Sequence, residues 1–274
     1  ETPVLVNHDG RKAGSKSWMW VYRSGHLYQN RQIVLYEYQQ TRNTSHPRKF
    51  LKGYDGICVT DGYQVYHTLE KELEELTIAG CWVHCRRRFD EALKLIPKSC
   101  QKESNVFLLM KQIQAIYREE GKLKDLSSDE RLKQRQVVIR PLVDAFFAYL
   151  KTIKVSKKDK FGDAVGYALN QEKYLRVFLT DGDIPIDNNA SERAIRGFCI
   201  GKKNWQMIDT INGAKTSAII YSIVETAKAN NLKPFNYVQY LLEELPQHMD
   251  DRDCSFLEDL LPWSEKLPAE IRKA

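Results

Sequence analysis

An α/β fold is predicted, with helices flanking a sheet and an all-helical stretch interrupting it, and three features of the chain lead there. Residues 1–98 alternate short apolar runs with polar turns, the pattern of half-buried strands between helices. From about Gln101 the strand signal stops, and apolar residues recur at i, i+3, i+4 and i+7, the rhythm of amphipathic helices. A chain of 274 residues with 42% hydrophobic and 28% charged residues can bury a proper core.

The elements follow in order. Pro3-Val-Leu-Val6, Ser17-Trp-Met-Trp-Val-Tyr22 and Gln32-Ile-Val-Leu-Tyr-Glu-Tyr38 are rich in β-branched and aromatic residues, with Asp9-Gly10 and Ser24-Gly25 between them; three antiparallel strands joined by hairpins are expected. A helix around Pro47-Arg-Lys-Phe-Leu-Lys52 leads to Gly56-Ile-Cys-Val-Thr-Asp-Gly-Tyr63, a short apolar strand that delivers Asp61 to a sheet edge. Residues 63–76 read as helix and loop, 76–83 as a strand, and 84–95 as a helix with Phe89, Ala92, Leu93 and Leu95 near helical spacing.

Beyond that point Val106, Leu109, Met110, Ile113, Ile116 and Tyr117 mark a helix that Gly121 breaks. Ser127-Ser-Asp-Glu130 has capping-box spacing, so a second helix should start there and run toward Leu150, with Pro141 as a kink or break. Helical pieces over 157–180 and the turn Asp181-Gly-Asp-Ile-Pro185 close the stretch. A helix starts in Asp187-Asn-Asn-Ala-Ser-Glu-Arg-Ala-Ile-Arg196, a long one runs from about Gly213 to Asn230, and a shorter one covers 234–242 with Tyr237, Tyr240 and Leu241 as its core face. Residues 246–274 are polar and proline-punctuated and should form a surface-wrapping tail. The expected organisation is a core in two parts, 1–98 and 183–245, around a helical insertion, 99–182, with a tail from 246.

No segment approaches 18 uninterrupted apolar residues, which argues against a transmembrane span. Six cysteines in a chain of this size without a basic-then-apolar leader read as reduced thiols, and a cytoplasmic setting is expected. A net charge of +6 favours an anionic partner without identifying it. The chain starts without methionine, as a piece of something longer would.

The chemistry-bearing residues each have two readings. Asp61 before Gly62 at a strand end is either turn chemistry or a catalytic acid. Glu192 completes a capping-box spacing from Asn189, so it serves either a helix end or a metal, and a place on the first turn suits both. If the fold brings these carboxylates together, they make a divalent-metal site, since Mg²⁺ takes a few hard oxygen ligands plus water and substrate phosphates. Cys81, His84 and Cys85 suggest zinc, but no second Cys or His pair stands at zinc-finger spacing, which argues against it. Arg86, Arg87 and Arg88 are consecutive on a helix and turn by about 100° each, so one or two can touch phosphate while the third pairs locally. Arg193 and Arg196 share a face beside Glu192 and are better placed to hold a phosphate backbone. Lys202-Lys203-Asn-Trp205 combines charge with a ring able to stack on a base, against the alternative of solvated lysines and a core tryptophan.

Four ordered blocks carry a resemblance. Thr60-Asp-Gly-Tyr63, Cys81-Trp-Val-His-Cys-Arg-Arg-Arg-Phe89, Asp187-Asn-Asn-Ala-Ser-Glu-Arg193 and the stretch from Gly213-Ala-Lys-Thr-Ser to Asn231 resemble transposases of the insertion-sequence-66 family, from residue 1 to about 263. These belong to the DDE transposases, named for three acidic metal ligands on a ribonuclease-H-like core. The resemblance implies a ribonuclease-H-like mixed β-sheet, Asp61 and Glu192 as second and third acids, and two Mg²⁺ or Mn²⁺ ions. Its Cys-x-x-His spacing implies a place for His84 near the scissile phosphate, as a donor or proton relay, against the alternative of a buried structural histidine. It implies DNA cleavage and strand transfer, element ends and target DNA as partners, and a homo-oligomer on DNA. The family's first aspartate would precede Glu1. A chain without it is expected to be catalytically incomplete, and Glu1 is not expected to replace it, because neighbouring strand residues point to opposite faces. A ribonuclease-H-like nuclease without strand transfer, and a non-catalytic DNA-binding or assembly protein derived from a transposase, are the alternative readings.

Overall fold

The structure, a computed structural model, describes residues 1–25, 31–156 and 159–273. The chain divides into two compact units, one formed by residues 1–43 and 190–274 and the other by 44–189. In chain order the elements are β1 (Thr2–His8), β2 (Lys16–Arg23), β3 (Val34–Gln39), α1 (Ser45–Phe50), β4 (Gly56–Thr60), α2 (Gln64–Glu72), β5 (Leu76–Gly80), α3 (Trp82–Lys94), α4 (Lys98–Gln101) and α5 (Asn105–Gly121). There follow α6 (Ser128–Gln134), α7 (Arg140–Thr152), α8 (Lys160–Asn170), α9 (Glu172–Leu175), α10 (Asn189–Trp205), β6 (Met207–Thr210), α11 (Ile211–Ala229), α12 (Pro234–Glu244) and α13 (Leu257–Leu260). The fold is α/β with a mixed sheet and many helices, and no helix among the described residues is long and apolar enough to cross a membrane.

In the first unit β1, β2 and β3 form the expected antiparallel meander, with Thr2 opposite Met19 and Tyr22 opposite Leu35. Alternation sets the faces: Val4, Val6, Val34, Tyr36 and Tyr38 are buried with Phe198, Ala214 and Ala218, while Leu5 and Leu35 between them are exposed. The parallel neighbour of β1 is β6. Its four residues are mostly exposed, so no apolar alternation announces it, and the sequence gives it no strand signal. The other edge of the sheet is covered by a helix. Ser222 Oγ accepts the N–H of Tyr36, Thr226 Oγ1 takes the N–H of Val34 and donates to its carbonyl, and Asn230 does the same for Gln32. Four residues of helix rise about 6 Å and two of strand about 6.6 Å, so Ser222 and Thr226 of α11 and Asn230 at its C-cap match alternate residues of β3 and of the chain just before it, and satisfy an edge that would otherwise invite pairing.

The expected surface tail is tied down. Leu267 and Ile271 are buried with Ala227, Leu232 and Tyr237, Leu260 is buried and its carbonyl accepts from the Tyr237 hydroxyl, the Lys233 N–H donates to the Ile271 carbonyl, and the Lys273 N–H donates to that of Asn231. A few well-spaced apolar residues among many polar ones suffice to anchor a segment, and periodicity does not reveal them.

In the second unit β4 and β5 form a two-stranded parallel sheet. Among the described residues the strands thus pair into two sheets, and the Asp61 strand pairs with β5. The expected strand over 76–83 ends at Gly80, because α3 already begins at Trp82. The helical stretch matches the periodicity closely. The Ser127–Glu130 capping box forms in both directions, and Gly121 is the last residue of α5. Pro141 lies in the first turn of α7, preceded by a π-helical stretch over Arg135–Ile139. Proline lacks the N–H that would bond back to residue 137, and the widened turn accommodates the loss. Arg135, buried, joins its neighbours there: it pairs with Glu120 and donates to the carbonyls of Phe178 and Asp181. Lys157 and Lys158, where the next helical pieces were expected to begin, lie outside the described residues. Trp82, Phe89, Phe146, Phe147 and Phe178 form the aromatic centre of this core.

Candidate functional site

The chemistry-bearing residues of the second unit gather at the carboxyl edge of β4 and β5. The register pairs Thr60 with Gly80, so the next residues, Asp61 and Cys81, leave the sheet side by side. Asp61 Oδ1 accepts the N–H of Tyr63 at 3.0 Å, a side-chain turn that fixes the carboxylate. Gly62 makes this possible: its φ is +84°, and a Cβ there would stand 2.7 Å from the Tyr167 hydroxyl. That hydroxyl donates to the Asp61 carbonyl at 3.3 Å.

Cys81 precedes α3 in extended conformation. Burial pushes its thiol up, against the pull of the backbone amides of Asn188, His84 and Val83, and the Asn188 N–H donates to Sγ at 3.2 Å. The Trp82 N–H donates to the Ile186 carbonyl, and its indole to the Leu175 carbonyl. These bonds hold residues 186–188 against the start of α3, and with them Asp187, whose Oδ1 accepts the N–H of Asn189 at 3.0 Å. The charge of Asp187 is felt locally: after burial it is the largest cause that raises the Tyr117 phenol, with Cys81 adding and Arg86 opposing. Asp187 was not singled out from the sequence. Its place at the head of the Asp187-Asn-Asn-Ala-Ser-Glu-Arg block was the available signal.

His84, partly buried, lies on the first turn of α3. The three arginines diverge as helical geometry requires. Arg86 lies over the Tyr117 ring at 5.8 Å and Arg88 over Tyr167 at 4.2 Å, while Arg87 is exposed. Asp61, His84, Arg86, Arg87 and Asp187 belong to one unit.

The remaining candidates lie on α10. Glu192 is on its first turn, partly buried, and Arg193 and Arg196 are exposed. That turn is held from the sheet: the buried Tyr36 hydroxyl donates to the Ala194 carbonyl, and Arg23 donates to that of Ala190 at 3.2 Å. Burial, with Arg193 nearby, lowers the pKa of Arg23. The Lys202-to-Trp205 string divides. Lys203 is exposed, whereas Lys202 donates to the Pro3 carbonyl at 2.8 Å and to Thr2. Trp205 packs edge-on to Phe198, centroids 5.4 Å apart, against the sheet core.

Asp61 and Asp187 each give one oxygen to a backbone N–H, which orients the carboxylate and leaves a second oxygen on each for other partners. Hard oxygen donors on short, turn-fixed side chains suit Mg²⁺ or Mn²⁺.

Residues 1–216 match the family model described as Transposase IS66 family, and residues 222–263 match the IS66 C-terminal element. Three curated relatives come from Sinorhizobium fredii (strain NBRC 101917 / NGR234). The uncharacterized protein y4qI is 30% identical over 96% of this chain and 49% of its own length. The uncharacterized proteins y4hP and y4jD are 28% and 26% identical over 85% of this chain and 44% and 46% of theirs. The chain thus spans about half the length of the curated relatives it matches. No solved structure matches it.

Proposed function

The chain belongs to the IS66 transposase family, and from that premise we propose that it carries metal-dependent DNA strand cleavage and strand transfer, on a ribonuclease-H-like core, that move a bacterial insertion sequence. The observation that supports this best is the carboxyl edge of β4 and β5, where Asp61 is fixed by its own turn beside the start of α3. Asp61 and Glu192 are the proposed metal ligands, with two ions, Mg²⁺ or Mn²⁺, in the complete site. Such ions would neutralise phosphate charge and activate the attacking oxygen. His84 is proposed as a donor or proton relay to the scissile phosphate. Arg86, Arg87, Arg193, Arg196 and Lys203 are proposed contacts to the DNA backbone; Lys202 and Trp205 have a weaker claim, because both have partners inside the fold. In the proposed sequence, water displaces an oxygen from phosphorus at the element end and leaves a 3′-hydroxyl. That hydroxyl then attacks a target phosphodiester, forming one P–O bond and breaking another.

The test is to incubate the intact parent protein, since this chain spans about half the length of the curated relatives it matches, with precut element ends and plasmid in Mg²⁺. Joined end–plasmid products that vanish on chelation are expected. Cleavage without joining would point to a nuclease, and DNA binding with neither reaction would point to an assembly role.

A further inference from the structure

Beyond α9 the chain forms a strap, residues 176–188, that enters α10 at Asn189. Its last residues bond to the start of α3 and carry Asp187 to Cys81. Its first half is held from the helical stretch, by three side chains of one helical run. Arg135 donates to the carbonyls of Phe178 at 2.8 Å and Asp181 at 2.6 Å, Arg131 one turn earlier donates to that of Gly182 at 2.9 Å, and Gln136 donates to that of Leu179. Gly182 lets the strap lie this close, since a Cβ there would land on the Ser128 carbonyl of α6. The strap is a single 3₁₀ turn and loop, so bonds supplied from outside fix its course. Packing alone does not call for Arg135, which is 1% exposed: a buried guanidinium is costly to desolvate, and an apolar side chain of similar volume fills a core at least as well. What only the planar fork can do is to bond Glu120 along one edge and two carbonyls with its remaining nitrogen.

We propose that Arg135 is a positioning residue: with Arg131 and Gln136 it sets the course of the strap, and through the strap the place of Asp187. The helical stretch thereby gains a task, which is to present an acid beside the start of α3. Asp187 gives one oxygen to the Asn189 N–H, and its other oxygen reaches a metal ion only if the strap runs where it does. A displacement of about 1 Å at such a group costs on the order of 100-fold in rate. For its effect on the reaction this inference rests on the function proposed above, whereas the fastening of the strap is independent of any chemistry.

Two readouts in the intact parent protein separate fastening from stability. The first is the reactivity of two cysteines. Cys81 and Cys85 are both fully buried, but Cys81 accepts the Asn188 N–H of the strap, whereas Cys85 lies in the apolar core with Trp82 and Phe89. Arg135→Lys keeps the charge and loses the fork, so iodoacetamide should alkylate Cys81 about tenfold faster than in the parent and Cys85 no faster. General loosening of the fold would expose both alike. Gly182→Ala keeps every donor and displaces the strap from α6; it should act in the same way, and it decides the matter if Arg135→Lys fails to fold. The second readout is metal dependence. Half-saturating Mn²⁺ for strand transfer should rise about tenfold in either variant, and adding either to Asp187→Asn should change it little further. Unchanged Cys81 reactivity, equal gains at Cys81 and Cys85, or a Mn²⁺ requirement that rises by the same factor with Asp187 present or replaced would overturn the proposal. Labelling needs no reaction, so a parent protein without strand transfer would refute the reaction, while the labels would still decide the fastening.

Discussion

The two acids proposed as metal ligands stand on elements held in opposite ways. Asp61 is fixed by its neighbours in sequence: the Tyr63 N–H two residues on, the positive φ of Gly62 between them, and a strand of five residues behind. Glu192 stands on a helix turn whose carbonyls are held by Tyr36 and Arg23, 158 and 167 residues from the positions they bond. Local order is encoded in a tetrapeptide, whereas the placement of α10 depends on partners that the sheet supplies. The setting of Asp61 should therefore be disturbed mainly from its own turn, while that of Glu192 can be disturbed from many points of its unit.

Removal of either acid should have the largest effect. In the intact parent protein, Asp61→Asn and Glu192→Gln are each expected to lower strand transfer by on the order of 100-fold or more, without loss of fold by circular dichroism. If both serve one reaction, the double variant should be little worse than either single one. Additive losses in single-turnover assays would show that the two acids work separately.

Next comes the local turn. Gly62→Val places a β-branched residue at φ +84° and a Cβ within 2.7 Å of the Tyr167 hydroxyl, which should cost about 3 kcal/mol in chemical denaturation. The long-range counterpart is Thr226→Val, which keeps the shape but removes both bonds to Val34. Two buried backbone groups on the edge of β3 then lose their partner, at about 1–3 kcal/mol. A Thr226→Val protein as stable as its parent would mean that the helix does not serve as the cover of that edge.

The same contrast explains what could be read in advance. The meander, the Asp61 strand and the capping box at Ser127 follow from patterns confined to a few consecutive residues. The strand at Met207, the anchored Leu260, Leu267 and Ile271, and the Ser222, Thr226, Asn230 ladder do not, because each depends on a partner supplied by the folded chain. The site divides along that line too. Asp61 and the divergence of Arg86 to Arg88 were legible from strand and helix geometry. Asp187 was not, since its position beside Cys81 is set by bonds from residues 186 and 188 to the start of α3. Lys202 and Trp205 look like a nucleic-acid string until β1 and Phe198 take them up.

The smallest expected effect probes the link between β3 and α10 itself. Tyr36→Phe deletes one buried hydrogen bond, from the phenol to the Ala194 carbonyl, and should lower stability near neutral pH by about 1 kcal/mol. Burial, reinforced by Glu225, pushes the Tyr36 phenol well above its ordinary range, so it stays protonated in the folded protein where an unfolded tyrosine ionises. The sign follows from linkage: with a raised folded-state pKa, the contribution of Tyr36 is complete below the unfolded value of about 10 and declines as pH rises beyond it. The other tyrosines are common to both proteins and cancel. The stability gap between parent and Tyr36→Phe should therefore be constant from neutral pH to about 9 and narrow above 10. A gap that widens at alkaline pH would mean that the phenol ionises more readily folded than unfolded, and that the bond from β3 does not hold the first turn of α10.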